Sequence, residues 1–187
     1  DWHCSKCKLT RPKLDISDSD YYPLHGVYNM YNTHAALLLI KAISLVRRRL
    51  VRLDVKNVLK DFSPAFGRQE IIEINDKKVR IFLSKNPTSF NESLRTIKEL
   101  KAENLLLVLN DRIPDGRDVS WIWDTNIERV IDEFKHIVVS GDRALDMGLR
   151  LKYSIQNSKG KMQNHNSKVK IFEDLKTAIN EGLKSLT

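Results

Sequence analysis

Asn104-Leu105-Leu106-Leu107-Val108-Leu109-Asn110 is a short, unbroken apolar run closed at both ends by asparagine. A run of that length without alternation reads as a strand covered on both faces, the kind found in sheets flanked by helices. His136-Ile137-Val138-Val139 repeats the pattern further along. Around these two runs lie segments of helical spacing. Phe90 to Lys101 carries Leu94, Ile97 and Leu100 on one face, with Ser89 or Asn91 as its cap. Asn126 to Phe134 and Arg143 to Tyr153 read as helices, Lys170-Ile171-Phe172 as a further short strand, and Asp174 to Leu186 as a closing helix. Alternation of this kind predicts an α/β unit built on a mainly parallel sheet.

Working towards the amino terminus, Ile71 to Ile74 and Lys78 to Leu83 read as a hairpin around Asn75-Asp76. Before it the character differs. Tyr31 to about Arg52 is dense in Ala, Leu and Ile and lacks helix breakers, which predicts a buried helix, and Asp54 to Asp61 a second one. Pro64 and Gly67 punctuate the chain, so a domain boundary is expected near Phe62 to Phe66. Residues 1–22 are polar and irregular and read as a small knuckle followed by a linker. Ser154 to Lys170, with Lys159-Gly160-Lys161, reads as a mobile loop.

In parallel sheets ligands meet the loops at the carboxyl ends of the strands. Those loops are Asn110 to Asp118 and Ser140-Gly141-Asp142-Arg143. The first holds three carboxylates, Asp111, Asp115 and Asp118, with Arg112 and Arg117 between them. Such a group can hold a metal, orient a histidine or bind a cationic amine; equally, Asp111 can cap a turn and Asp115-Gly116 can form one. Trp121 and Trp123 share a side if their segment is extended, with a core role favoured.

The chain has 187 residues, 32 Lys and Arg against 24 Asp and Glu, and a formal charge of +8, the make-up of one or two globular units. The longest apolar run, Ala35 to Ile40, ends at Lys41 and is far short of the roughly 20 residues of a spanning helix, which excludes a membrane-embedded protein. The charge permits phosphate-rich partners, and Arg47, Arg48, Arg49, Arg52 and Lys56 form its densest stretch, although a solvated helix face is the favoured reading. No phosphate-cradling Gly-x-x-x-x-Gly-Lys-[Ser/Thr] occurs. Cys4 and Cys7 are the only cysteines; their spacing is half of a zinc knuckle, and tetrahedral zinc needs two more ligands. Asp1-Trp2-His3-Cys4 has no signal-peptide character, nothing suggests secretion, and the chain is expected to begin inside a longer protein.

Gly26-Val27-Tyr28-Asn29-Met30-Tyr31-Asn32-Thr33-His34-Ala35-Ala36 is more specific. It resembles the Gly-x-[His/Tyr]-Asn-x-x-Asn-x-x-Ala-Ala element that closes the central ATPase domain of the Mur ligase family. Asparagine side chains offer both donor and acceptor and suit an adenine edge. Phe66-Gly67-Arg68-Gln69-Glu70 resembles the family's Gly-Arg-x-Glu junction, whose Arg reaches the nucleotide, and Ser84-Lys85-Asn86-Pro87 resembles a loop that brings a basic residue towards the phosphates. Within that family the likeness is to the MurT-type subunits of lipid II isoglutaminyl synthase. It rests on Pro64 to Arg68, Lys85-Asn86-Pro87, Asn110-Asp111, Asp115 to Asp124, Val139-Ser140-Gly141, and Cys4-x-x-Cys7 followed by Arg11-Pro12.

The resemblance implies a Rossmann-like carboxy-terminal domain at 66–187, preceded by the end of a Mur ligase central domain at 18–65 and a zinc-ribbon remnant at 1–17. It implies a cytoplasmic ligase of peptidoglycan biosynthesis that uses ATP and Mg2+, with Asn29, Asn32, Arg68, Lys85 and Asn86 at the nucleotide and Cys4 and Cys7 holding half of a Zn2+ site. ATP would phosphorylate the α-carboxylate of D-glutamate in lipid II, a substrate presented at the membrane surface. Ammonia from a GatD-type, cobyric-acid-synthase-like glutaminase partner would then displace phosphate to give D-isoglutamine. An Asp of the loop would complete the partner's Cys-His site, with Asp115 and Asp118 preferred and Asp111 behind them. Lacking a P-loop and the first ribbon cysteines, the chain is expected not to bind or hydrolyse ATP by itself, and the short spacing from Arg11-Pro12 to Leu24 suggests that Asp1 to Ser17 and Asp18 onward are discontinuous pieces of one protein. The alternatives are a Mur-type ligase adding an amino acid, a non-catalytic scaffold, and a basic nucleic-acid-binding module; the last would leave the acidic loop and the paired asparagines without a purpose, and no nucleic-acid partner is expected.

Overall fold

In a computed structural model that describes residues 2–10, 21–46, 54–64, 67–114, 116–157 and 168–185, the chain divides into two units, Asp1–Phe62 and Ser63–Thr187. The first contains α1, Val27–Val46, and the short α2, Val55–Leu59, whose cap is Asp54. The helix expected from Tyr31 thus starts a turn earlier, at Gly26, whose carbonyl receives the N–H groups of Asn29 and Met30. Its expected burial is not observed. Asn29 is its buried residue, whereas Leu39, Ile43 and Leu45 are 62%, 48% and 64% exposed. Apolar residues run almost all round this helix, so it needs cover on several sides, and the described residues of its own unit do not supply that cover. The basic stretch from Arg47 to Arg52 lies outside the described residues. At the amino end His3 pairs with Thr10 in an antiparallel bridge around the Cys4 to Cys7 turn.

In the second unit β1, Arg68–Ile74, and β2, Lys77–Phe82, form the expected antiparallel hairpin. Asn75 and Asp76 sit at φ 51° and 60°, as a two-residue turn with both central residues left-handed requires. Next comes α3, Pro87–Glu99. Its cap is Asn86, not Ser89 or Asn91: the Asn86 side chain accepts from the Ser89 N–H at 2.8 Å and the Ser89 hydroxyl accepts from the Asn86 N–H at 3.3 Å. Pro87 reads as a breaker in isolation, but it suits a first helical position, where no N–H is needed. Asn91 instead faces sideways and accepts from the Asn126 N–H.

The predicted buried runs become β3, Asn104–Val108, and β4, His136–Ser140, and they are joined by β5, Val169–Ile171. All three are parallel in the order β3-β4-β5, with Leu106 opposite Val138 and Val139 opposite Ile171. The helices α4, Ala144–Asn157, and α5, Leu175–Lys184, follow β4 and β5. Leu107, Ile137 and Val139 of the strands join Leu94, Met147 and Leu151 of the helices in one apolar core, each contributing about 1.5–3 kcal/mol through burial. Leu183 and Ala178 of α5 are buried as well.

Two expectations are corrected here. Asn126 to Phe134 is not an α-helix but two tight threefold turns, Ile127–Arg129 and Ile131–Glu133. Ile127, Val130, Ile131 and Phe134 are all buried, as helical spacing predicts. The turns close through bonds to the third residue back, such as Val130 N–H to the Ile127 carbonyl, and β-branched side chains disfavour continuation as a regular helix. The loop expected from Ser154 to Lys170 is shorter: Ser154 to Asn157 complete α4, and Val169 and Lys170 belong to β5. Lys168 donates to the Ile131 carbonyl at 2.6 Å, and residues 158–167 lie outside the described residues.

Candidate functional site

Because β3 and β4 are parallel neighbours, the segments that leave them emerge side by side. The Leu109 N–H bonds the Ser140 carbonyl at 3.0 Å, and the Arg143 N–H returns to the Leu109 carbonyl at 3.0 Å. The Asn110 side-chain oxygen accepts from the Asp142 N–H at 3.1 Å. Gly141, at φ 104°, lies so close beneath this exit that a Cβ would stand 2.3 Å from the Leu109 carbonyl oxygen. Only glycine fits that approach.

Charges then cross between the two exits. Arg112 grips Asp142 with a two-pronged contact, Nε to Oδ2 at 2.6 Å and Nη2 to Oδ1 at 2.9 Å. That hydrogen bonding holds the Asp142 carboxyl below the ordinary carboxylate range. Arg143 divides its guanidinium between Asp146 Oδ2, at 2.7 Å, and Asp111 Oδ2, at 3.2 Å. Its bond to Arg143 likewise lowers the Asp146 carboxyl, and the two carboxylates raise the guanidinium above its ordinary range. Lys85 reaches the far side of the loop and donates to the Pro114 carbonyl at 2.7 Å.

The three loop carboxylates thus differ in circumstance. Asp111 is half-buried three residues beyond the end of β3 and held by Arg143. Asp118 is exposed and turns back on its own segment, accepting from the Ser120 N–H at 2.8 Å; the hydrogen bonds from Ser120 lower its carboxyl. Asp115 lies outside the described residues. The two tryptophans do not share a side, because Ser120–Asp124 is a threefold turn rather than extended chain. Trp121 meets Phe90 edge-on at 5.7 Å, and Trp123 leans outward on Tyr153 at 5.9 Å.

The nucleotide candidates are divided between the units. In the first, the Asn29 amide donates to the His25 carbonyl at 2.6 Å, Asn32 is exposed, and His34 stacks on Tyr22 and shares a 2.7 Å hydrogen bond with its hydroxyl. In the second, Arg68 is exposed at the start of β1, while Asn86 caps α3 and Lys85 tethers the acidic loop. The neighbouring Cys7 and Lys6 draw the Cys4 thiol below its ordinary range, Cys7 most of all, through hydrogen bonding to its sulfur. Among the described residues no group of three His, Cys, Asp or Glu gathers to hold a metal.

Sequence reasoning picked out both strand exits but missed Asp146 and the Arg112 to Asp142 clasp. An Arg-x-x-Asp at the first turn of a helix was the available signal for the former; the latter joins residues thirty apart in sequence and leaves no local trace.

Residues 83–187 match the family model for the MurT ligase C-terminal region. The chain belongs to this family. It is 33% identical over 142 residues to the MurT subunit of the glutamine-hydrolyzing lipid II isoglutaminyl synthase of Staphylococcus aureus strain COL, covering 74% of this chain and 31% of that protein. Against the Streptococcus pneumoniae subunit of the same name the identity is 29% over 172 residues, covering 80% of this chain and 37% of the other. The chain therefore spans about a third of the length of these relatives. Among solved structures it is similar in fold to Mycobacterium tuberculosis folylpolyglutamate synthase complexed with ADP and AMPPCP, at TM-score 0.51 and 20% identity, covering 88% of this chain and 34% of that one. In this MurT-family chain both strand exits, from Leu109 to Asp146, lie inside the matched region. Chemically they offer a carboxylate fixed just beyond a strand by a guanidinium, suited to holding a cation or an imidazole N–H.

Proposed function

We propose that the chain is part of the ligase subunit of a lipid II isoglutaminyl synthase, converting the D-glutamate α-carboxylate of lipid II to D-isoglutamine with ammonia from a GatD-type glutaminase partner. A carboxylate does not react with ammonia directly, because its leaving group would be hydroxide or oxide. ATP, with Mg2+, supplies the activation by turning that oxygen into a phosphate leaving group. In this reading 66–187 is the carboxy-terminal domain, 18–65 the end of the nucleotide-binding central domain, and 1–17 a ribbon remnant in which Cys4 and Cys7 would bind Zn2+ with ligands from elsewhere in the protein. Asn32 and Arg68, each exposed in its own unit, are the residues proposed to meet the nucleotide. Asn29 and Asn86 are already committed to backbone groups of their own segments.

The observation that carries the proposal is the match of residues 83–187 to the MurT ligase C-terminal region, with a braced carboxylate at its sheet edge. For completing the partner's Cys-His site, a carboxylate must stay ionised and present one oxygen to the imidazole N–H, so that the ring keeps the tautomer that accepts the thiol proton. Asp111 suits this best among the described candidates. It is half-buried three residues beyond the end of β3, and Arg143 engages Oδ2 alone. Asp118 is committed to its own turn.

The test is glutamine hydrolysis by the reconstituted full-length complex with Asp111, Asp115 and Asp118 each changed to Asn. The expected result is a fall of at least about 100-fold in kcat for Asp111→Asn, since an amide no longer holds the required tautomer, with the Asp118→Asn change milder. If all three variants hydrolyse glutamine within about twofold of the parent, the shared-site reading is wrong. Transfer of free amino acids, with glutamine ignored in the partner's presence, would instead mark an amino-acid-adding ligase.

A further inference from the structure

Arg143 has two anchors before it reaches Asp111. Its backbone N–H is fixed to the Leu109 carbonyl at 3.0 Å, and its Nε is fixed to Asp146 Oδ2 at 2.7 Å on the first turn of α4. The planar guanidinium then has one direction left for Nη1, and at 3.2 Å that direction meets Asp111 Oδ2. Among the described residues Oδ1 of Asp111 has no hydrogen-bond partner, so it is the oxygen open to a donor from outside. The side chains of Arg143 and Asp111 are 35% and 37% exposed, wet enough to be reached and covered enough to be held. An ammonium cannot repeat this arrangement, because it lacks the rigid fork that meets two carboxylates at fixed angles.

We infer that Arg143 is a positioning residue for glutamine hydrolysis: it orients the Asp111 carboxylate, with Asp146 holding Arg143 in place. The inference rests on the proposed role of Asp111 at the partner's Cys-His site. Arg143 itself touches neither glutamine nor the reacting atoms, so its loss acts through Asp111 alone.

The experiment uses the full-length complex and four variants: Asp111→Asn, Arg143→Gln, Arg143→Lys and the double variant Asp111→Asn/Arg143→Gln. Arg143→Gln lowers kcat about 10- to 100-fold, the usual penalty for a catalytic group misplaced by a fraction of an ångström to an ångström, while KM for glutamine and the Kd between subunits stay within twofold. Arg143→Lys recovers part of the loss. The double variant is no slower than Asp111→Asn, because a residue that works only by orienting a carboxylate has nothing left to orient. A double variant slower by the product of the two single effects overturns the inference, as does Arg143→Gln with kcat within twofold of the parent. If Arg143→Gln does not fold, the same cycle is run with Arg143→Lys. An active Asp111→Asn variant defeats the proposed role of Asp111, and the positioning role with it; an inactive Asp111→Asn beside a fully active Arg143→Gln defeats only the positioning role.

Discussion

Replacing Gly141 with alanine probes whether the two strand exits form one rigid unit. The new Cβ would meet the Leu109 carbonyl oxygen at 2.3 Å, the Leu109 carbonyl carbon at 2.9 Å and Asn110 Oδ1 at 2.8 Å. Two of those atoms are backbone, so no side chain can swing away, and the exits must part by about 1 Å to reach ordinary contact. Parting them breaks the Arg143 N–H bond to Leu109 and the Asp142 N–H bond to Asn110, at about 1 kcal/mol each. The backbone at φ 104° adds about 1–3 kcal/mol of strain for a residue with a side chain. The expected loss is about 3–5 kcal/mol, or about 10–20 °C in Tm for a unit of this size. Two other glycines serve as internal standards. Gly116→Ala shares the left-handed backbone, at φ 88°, but has open space around it, so strain alone, about 1–3 kcal/mol, is expected. Gly148→Ala meets only the flexible tip of Ile171 and gains helix propensity of up to about 1 kcal/mol, leaving it near neutral. Urea unfolding followed by circular dichroism measures all three. A Gly141→Ala loss no larger than that of Gly116→Ala would refute the idea that the exits are held in close register.

Arg150 is 4% exposed and donates to the Ile122 and Thr125 carbonyls, to Glu128 and to the Ser154 hydroxyl. Arg150→Met leaves the Thr125 carbonyl and Glu128 without this donor, while the Ile122 carbonyl keeps the Thr125 hydroxyl, and is expected to cost about 3–5 kcal/mol in the same urea assay; a loss below about 1 kcal/mol would show that the turns after Asp118 stand without it. Asp142 and Asp146 are held below their ordinary 3.8 by their arginines. Their contribution to stability is therefore complete above that value and is lost as pH falls through the lowered native pKa values. The denaturation midpoint should stay level from about pH 7 to 5 and drop below about pH 4. Asp142→Asn should flatten the drop, and an unchanged acid limb in that variant would contradict the clasp.

What the sequence shows of this fold follows from the range of the forces involved. Strand β4 was legible because burial on both faces leaves a continuous apolar run; β3 carries the same run but lies at the sheet's edge, with Val108 43% exposed, so its expected burial on both faces is not observed. The helices α4 and α5 were legible because one covered face leaves a 3.6-residue period. The segment around Ile127 and Phe134 misled because a threefold turn and an α-helix bury nearly the same spacing over eight residues, and only hydrogen-bond geometry separates them. For α1, composition indicated a helix correctly, but burial depends on what else packs against it. The acidic loop was legible as a cluster of charges at a strand exit. Its internal ranking was not, since Arg143 and Asp111 become neighbours only when two parallel strands lie side by side.

That last point bears on the two described candidates, Asp111 and Asp118, for a physical reason. The resemblance to the family prefers Asp115 and Asp118. A carboxylate that must orient a partner's imidazole, however, needs a rigid base as well as an oxygen left over; Asp111 and Asp118 each engage one oxygen, and they differ in what holds it. Asp118 gives one to the amide of Ser120 to begin the next turn, an arrangement that shapes its own segment. Asp111 gives one to a guanidinium already fixed by Asp146 and by the Leu109 carbonyl, which restrains the carboxylate without closing it to an outside donor. The same parallel register that brings Ser140 opposite Val108 sets Asp111 beside Arg143, and slipping that register would separate this pair before it disturbed the turn of Asp118.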